Sequence, residues 1–404
     1  MIASAPGKIL WMGGYSVLQR PNVAFVTGVD KRVYAQSLEV EDDFAHFELP
    51  QFNVSLAGKL DGGKIVFAGN PSKEELKKVK FAKVATETCA CYFDAKGEPF
   101  KGVEIKSVSD PAFGFEGSKA GLGSSAAATV AITASLFELH DKNIPQNLGV
   151  IHRIAQYAHS NAQGKVGSGF DVAAACFGGC KYVRYSPSLI PTGELNGNKL
   201  VETLEKEWDC ITEKVDLPKG FIAIIASFEG ESASTREMVK KYNAFKAEKP
   251  DEFAALMNEL NAANEEAIEL MKKIDLKANE NPRDYLNVVE AVDENRAADL
   301  TFKKFYEAFK KGRLLLKEFG EKSGAVIEPQ EYSKLIDETE KNGAFAAKLP
   351  GSGGGDAIAA LCLSKNSKEK VETFWKNYSR KKLAVLNVGI SNSGVRRENA
   401  LPLF

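Results

Sequence analysis

Residues 119–132 read KAGLGSSAAATVAI: a lysine, a glycine-rich turn, two serines, then an unbroken run of small and apolar residues. From 125 to 139 the chain is apolar on every side, which predicts a helix buried inside its domain. The start of such a helix carries unpaired backbone N–H groups and the positive end of the helix dipole, and both attract phosphate. Gly121 and Gly123 let a ligand come close to the main chain and permit positive φ. Ser124 and Ser125 offer hydroxyls to an anion or to Mg²⁺, and Lys119 offers charge. The pattern is not GxxxxGK[ST], and a bare glycine turn capped by serine reads the same way. Other sites have to decide.

Four further stretches carry such residues. In APGKILWMGGYSVL (5–18) Lys8 stands among apolar neighbours; partly buried, it would hold a transferring phosphate, and otherwise it snorkels outward. In GKVGSGFDVAAA (164–175) Asp171 sits in a small-residue segment where a carboxylate can act as general base. Ser168 and Asp171 also have the S-x-x-D spacing of a helix cap. LPGSGGGDAIAAL (349–361) is a second glycine-rich loop, costly in conformational entropy unless a ligand approaches closely. Asp356 is out of place there, because a carboxylate repels phosphate unless a cation intervenes; an Asx turn is the plain alternative. SASTREMV (232–239) offers Ser234 and Thr235 at a helix start, to bind an anion or simply to cap, with Ser234 and Glu237 spaced as a capping box.

Composition narrows the field. A chain of 404 residues suits two domains, and a formal net charge of −1 gives no global field toward nucleic acid or anionic lipid. The six cysteines form no CxxC and the four histidines are scattered, which argues against structural zinc and for reduced thiols. No secretory leader, membrane span, prenylation box or peroxisomal address is read, so a cytoplasmic protein is expected.

Strands are predicted at 23–40, 64–69, 102–108, 180–185, 220–228 and 383–390, from β-branched and aromatic enrichment. Helices are predicted after the capping box Ser72–Glu75, at 125–139 and 146–162, across 232–245 and about 250–320, and at 368–380. The polar stretch 191–209 reads as a surface connection, and a boundary falls near 217.

Taken together, APGKILWMGGYSVL, AGLGSSAAATVA and LPGSGGGDAIAAL resemble, in this order, three motifs of the kinase family that includes galactokinase, homoserine kinase and mevalonate kinase. The resemblance covers nearly the whole chain. It implies an α/β (more narrowly α+β) enzyme with an ATP-binding domain at 1–216, like domain 2 of ribosomal protein S5. A ferredoxin-like substrate domain would follow at 217–404, with the active site between them. By motif position, Lys119, Gly121, Leu122, Gly123, Ser124, Ser125 and Ala126 would bind ATP, with Ser125 facing Mg²⁺. Lys8 and Asp171 match the family's catalytic lysine and aspartate. Tyr15, Lys165, Ser168, Ser234, Thr235 and Ser352 are the substrate-side candidates.

The stretches 162–190, 230–239 and GVRRE (394–398) look most like the branch of the family whose small-molecule substrate is 5-phosphomevalonate. That branch transfers the ATP γ-phosphoryl onto a phosphate. An ionised phosphate acceptor has little need of a strong base, so Asp171 is expected to orient Lys8 and the substrate rather than take a proton. Mevalonate kinases place a Mg²⁺-binding glutamate upstream of the aspartate; here AQYAHSNAQGKVGSGF (155–170) has no acidic residue. No nucleic-acid or membrane partner is expected, and the chain is taken as a monomer or homodimer. The competing readings are a relative acting on mevalonate, a decarboxylase of a mevalonate phosphate, and a non-catalytic ligand sensor.

Overall fold

The computed structural model describes residues 1–99, 101–114, 121–164, 167–190, 196–229, 235–296, 298–351 and 353–404, without the side chains of Thr235 and Arg236. In chain order its first part runs β1 (Ile2–Met12), β2 (Val23–Val40), β3 (Phe44–Leu49), β4 (Val54–Asp61), β5 (Lys64–Phe67), α1 (Lys73–Ala95) and β6 (Gly102–Ser109). There follow α2 (Ser124–Leu139), α3 (Ile144–Gln163), α4 (Phe170–Phe177), β7 (Cys180–Val183), α5 (Gly197–Glu205) and β8 (Ile211–Lys214). The second part runs β9 (Ile222–Phe228), α6 (Thr235–Glu248), α7 (Pro250–Glu280), α8 (Pro282–Asp293), α9 (Leu300–Ser323) and α10 (Gln330–Lys341). It closes with β10 (Ala346–Lys348), β11 (Ala357–Cys362), α11 (Lys365–Lys376), β12 (Leu383–Leu386), β13 (Ile390–Ser391) and β14 (Arg396–Arg397).

The β-branched stretch 23–40 forms β2, and the first sheet is organised around it. β2 pairs antiparallel with β1, β6, β7 and β13 along different parts of its length. Beyond β6 the sheet continues through β3, β4 and β5. The helix α2 lies on β1 and β2 and is walled in by α1, α3 and α4; its Thr129, Thr133 and Ser135 are buried as well and bond back to carbonyls of the same helix. The expected capping box starts α1: Glu75 N–H donates to Ser72 Oγ (3.2 Å) and Ser72 N–H to Glu75 Oε2 (2.7 Å).

The second sheet has the order β10-β11-β9-β12, all antiparallel, in a β-α-β-β-α-β chain order with five helices in the first crossover. This is the ferredoxin-like pattern. α10 and α11 cover the face of Ile224, Ala226 and Phe228, whereas Ala223 and Ile225 on the opposite face join the main core. Burial on both faces explains why GFIAIIASF reads as a continuous apolar run. The two parts of the chain are tied together by hydrogen bonds. Lys348 Nζ donates to Trp11 O (2.8 Å), and the Val23 N–H donates to Asn261 Oδ1 of α7 (2.8 Å).

Three expectations need correction. The stretch 191–209, read as surface connection, contains α5, whose Leu200 and Leu204 are buried against α1 and α3; the i, i+4 leucines were masked by the surrounding charges. The strand expected at 383–390 is two strands in different sheets, broken where Asp30 N–H donates to Gly389 O (2.8 Å) and Gly389 N–H to Asp30 Oδ1 (3.0 Å). The tail counted with 217–404 is accordingly built into the first sheet. Buried Arg32 holds it there, donating to Ser4 O (2.9 Å) and Gly394 O (2.7 Å). Gly394 lies so close to α4 that an added Cβ would stand 2.0 Å from Cys176 O. Gly394→Ala is therefore expected to destabilise the fold by about 2 kcal/mol, as overpacking does, measured as a lower midpoint in urea unfolding.

Candidate active site

The mouth of α2 is built by two glycines in the left-handed region, Gly121 (φ +66) and Gly123 (φ +77), the latter capping the helix with no side-chain bond. Gly123 is required for a second reason: a Cβ there would lie 3.1 Å from the Lys8 stem. Lys8 is stitched to the same turn twice. Its N–H donates to Leu122 O (2.8 Å) and its Nζ to Gly121 O (2.6 Å). An irregularity in the β1–β2 ladder between Pro6 and Lys8 aims the lysine at the turn, and Gly7 packs against Phe113 and Leu122 O with no room for a side chain.

Asp171 lies in the first turn of α4, which starts at Gly169 (φ +85) without a side-chain cap. The Ser168–Asp171 capping alternative therefore does not hold. Asp171 Oδ1 accepts from the next N–H, and Oδ2 lies 3.9 Å from His159 Nε2. Gln156 of α3 donates to Gly169 O (2.8 Å) and Tyr182 of β7 donates to Ser168 O (2.8 Å), so the turn before Asp171 is pinned from two sides.

The second glycine loop meets the first. Gly353, Gly354 and Gly355 take φ of +70, +74 and +101 and deliver Asp356 to the start of β11. Asp356 Cβ stands 3.9 Å from the position a Cβ on Gly121 would occupy. Gly14, from the first motif, approaches Gly351 O in the same way. All three glycine motifs thus converge on one cleft of about 520 Å³ between the lobes.

Burial pushes the Lys8 ammonium below its ordinary range, while Asp171 and Asp356 oppose that from either side. Neither carboxylate hydrogen-bonds it, so Asp171 acts on Lys8 through space and does not orient it by contact. His159 is 3 % exposed; burial lowers its basicity and the Asp171 charge counters the effect. Its Nε2 also lies 3.2 Å from Ser125 Oγ.

Among the other expected residues, Ser124 opens α2 beside Ser125 and lines the cleft. Leu122 and Ala126 are buried in the core and have only main chain to offer a ligand. Tyr15 (φ +58) lines the cleft, stacks on Tyr242 at 6.3 Å and donates to Met238 Sδ (3.3 Å). Ser168 lines it as well. Lys119, Lys165, Ser234, Ser352 and the Thr235 side chain lie outside the described residues.

Sequence reasoning missed His159, and it left Asp356 and Arg184 without a role. His152, Gln156, His159 and Gln163 recur at i, i+4, i+7 and i+11 on a helix that is otherwise buried on that side, and that spacing was the available signal. Beyond Leu18, which lines the cleft and accepts from Arg184 Nη1 (3.2 Å), Arg184 Nε and Tyr242 Oη are buried without hydrogen-bond partners. Unpaired buried donors of this kind mark a seat for an anion or water. No group of three or more His, Cys, Asp or Glu residues able to hold a metal ion occurs among the described residues.

The chain matches the family models for the N-terminal domain of GHMP kinases at residues 81–179 and the C-terminal domain of GHMP kinases at 302–381. It is 30 % identical over 398 residues to the phosphomevalonate kinase of Saccharolobus solfataricus, covering 98 % of each chain. It is 26 % identical over 469 residues to a peroxisomal phosphomevalonate kinase of Arabidopsis thaliana, covering 94 % of this chain and 93 % of the relative. The fold is also similar to that of Streptococcus pneumoniae phosphomevalonate kinase, solved with phosphomevalonate and AMPPNP. That similarity has a TM-score of 0.66 and 18 % identity, covering 97 % of this chain and 100 % of the other.

Gln156→Leu removes the buried donor to both His152 Nε2 and Gly169 O, leaving that carbonyl with the Ala173 N–H alone. It is expected to cost about 2 kcal/mol of stability in urea unfolding.

Proposed function

The chain belongs to the GHMP kinase family, and from that premise we propose that it transfers the γ-phosphoryl of ATP to the phosphate of (R)-5-phosphomevalonate, giving (R)-5-diphosphomevalonate and ADP in the mevalonate pathway. The reading rests above all on the end-to-end likeness to the Saccharolobus solfataricus phosphomevalonate kinase. The convergence of three glycine motifs on one cleft supports it.

The chemistry follows from charge. A phosphate monoester with a second pKa of about 6 is largely dianionic at neutral pH, so the acceptor oxygen needs no base. It attacks Pγ as the bond from Pγ to the β,γ-bridging oxygen breaks, and ADP carries that electron pair away. The difficulty is bringing two polyanions together, and positioning with charge neutralisation is the remedy. For the phosphate chain, the N–H groups at the mouth of α2 and the Lys8 ammonium are the electropositive groups lining the cleft among the described residues. Lys8 stabilises the transferring group. The Asp171 charge acts on both Lys8 and His159.

Ser125 Oγ, a hard oxygen donor at the helix mouth, fits Mg²⁺, which takes few protein ligands and relies on substrate phosphates and water. When bound, the ion supplies further neutralisation of the phosphate chain. Arg184 and Tyr242, which touch the cleft-lining Leu18 and Tyr15, are assigned as the seat for the acceptor's far carboxylate, with Tyr15 and Ser168 as further substrate-side residues lining the cleft. Lys119, Lys165, Ser234, Thr235 and Ser352 remain in the proposal on motif position alone.

The division into an ATP-binding lobe and a substrate lobe, the cytoplasmic placement and a monomer or homodimer belong to the same proposal. A peroxisomal relative exists, and no helix among the described residues is long and apolar enough to cross a membrane.

A substrate panel with the product identified by mass tests the reading. ADP and diphosphomevalonate should form from phosphomevalonate, and mevalonate should give no product. Turnover on mevalonate, release of CO₂, or ligand binding without ADP would each replace the reading with one of its rivals. Asp171→Asn should lower kcat with little change in ATP affinity. Arg184→Met should raise KM for phosphomevalonate tenfold or more, roughly the worth of a hydrogen bond to a charged group, with KM for ATP nearly unchanged.

A further inference from the structure

Asp356 is the residue the proposed chemistry leaves unexplained. A carboxylate at a phosphate-binding cleft opposes the ligand's charge, yet this one is installed at considerable conformational cost. Three successive glycines in the left-handed region precede it. A side chain on Gly353 would meet Ile327 O at 2.4 Å, and one on Gly355 would meet the Tyr332 hydroxyl at 2.6 Å, so the turn has no alternative path. The main chain of Asp356 is fixed in turn by the Phe228 N–H, which donates to its carbonyl (3.1 Å). The turn delivers the Asp356 side chain to the cleft.

That carboxylate faces the first lobe. Its Cβ stands against Gly121, whose carbonyl accepts the Lys8 ammonium. Its Oδ1 is buried and has no hydrogen-bond partner. The charged groups that bear on Lys8 among the described residues are Asp171 on α4 and Asp356 at the start of β11; the α2 turn contributes carbonyl groups, and Phe170 contributes a ring face at 5.6 Å. Lys8 has one of its three N–H bonds spent on Gly121, which leaves two for the cleft. Burial lowers the Lys8 pKa, and the charges of Asp171 and Asp356 both oppose that shift.

We infer that Asp356 is a positioning residue for Lys8: its carboxylate, presented from the second lobe by the glycine turn 353–355, keeps the ammonium of the first lobe charged and directed into the cleft. Lys8 is then fully competent when the two lobes are in register. The inference rests on the phosphoryl-transfer reading for its importance to turnover. Its central claim concerns the free protein and is tested there.

The experiment follows the Lys8 side chain by heteronuclear NMR in lysine-labelled protein as pH is raised, with the signal assigned by its loss in Lys8→Arg. In Asp356→Asn the Lys8 titration should move to lower pH by about one unit, the usual effect of removing a nearby opposite charge. Asp356→Ser should move it the same way, and Asp356→Glu should restore most of it. In the assay, kcat of Asp356→Asn should fall more at pH 8.5 than at pH 6.5, with the affinity for a non-hydrolysable ATP analogue almost unchanged. A merely structural residue would not shift a lysine titration while thermal melting stays put. An unmoved Lys8 titration in both charge-removing variants would overturn the inference, whether or not turnover falls; a fall in turnover alone would assign Asp356 to direct contact with ligand or metal. If the lysine shifts but no phosphomevalonate is consumed by the parent protein, the functional reading fails and this one stands.

Discussion

A single lysine joined to a glycine turn by main chain and side chain together is the constraint on which the site depends. The Lys8 N–H and Nζ both bond carbonyls of the turn before α2, so the strand β1 and the mouth of the helix are one rigid unit. Gly123 must lack a side chain for that lysine to pass, and Gly7 must lack one for β1 to come close enough. Burying an ammonium is costly unless charge and hydrogen bonds compensate. The carbonyl of Gly121 and two carboxylates from different elements do so here.

Much of this was written in the sequence because it depends on local stereochemistry. Glycines that must take positive φ, a capping box, and a helix with no charged face all leave short-range marks, and each was readable at 121–139 and 72–75. The sites that were not legible depend on tertiary placement. His159 meets Ser125 and Asp171 because α3 packs beside both α2 and α4, and nothing in its immediate neighbours reveals that. Asp356 looked anomalous in its own loop, and the anomaly resolves only when the opposite lobe is present. The helix α5 was hidden for a third reason: two buried leucines in a charged segment are too sparse a pattern to outweigh the polar residues around them.

Charge distribution also connects the fold to the chemistry. The absence of an acidic residue along 155–170 leaves α3 to present neutral imidazole and amide groups at the cleft end of its buried face. A second dianion brought to the nucleotide is better served by such groups than by another carboxylate, since each added negative charge at close range raises the cost of approach. Among the described residues, the two carboxylates that face the cleft are both within the influence of Lys8, which offsets their repulsion of an incoming phosphate.

The return of β13 and β14 to the first sheet has a consequence for biosynthesis. Arg32 is made early, but the carbonyls of Ser393 and Gly394 that satisfy its guanidinium emerge from the ribosome only after every residue of the second lobe. The nascent first lobe therefore waits, with a buried cation short of acceptors and an unpaired edge on β1, until the second lobe has been made. Maturation of the two halves is coupled by chain order, since a strand made after the second lobe completes the sheet that the first lobe begins.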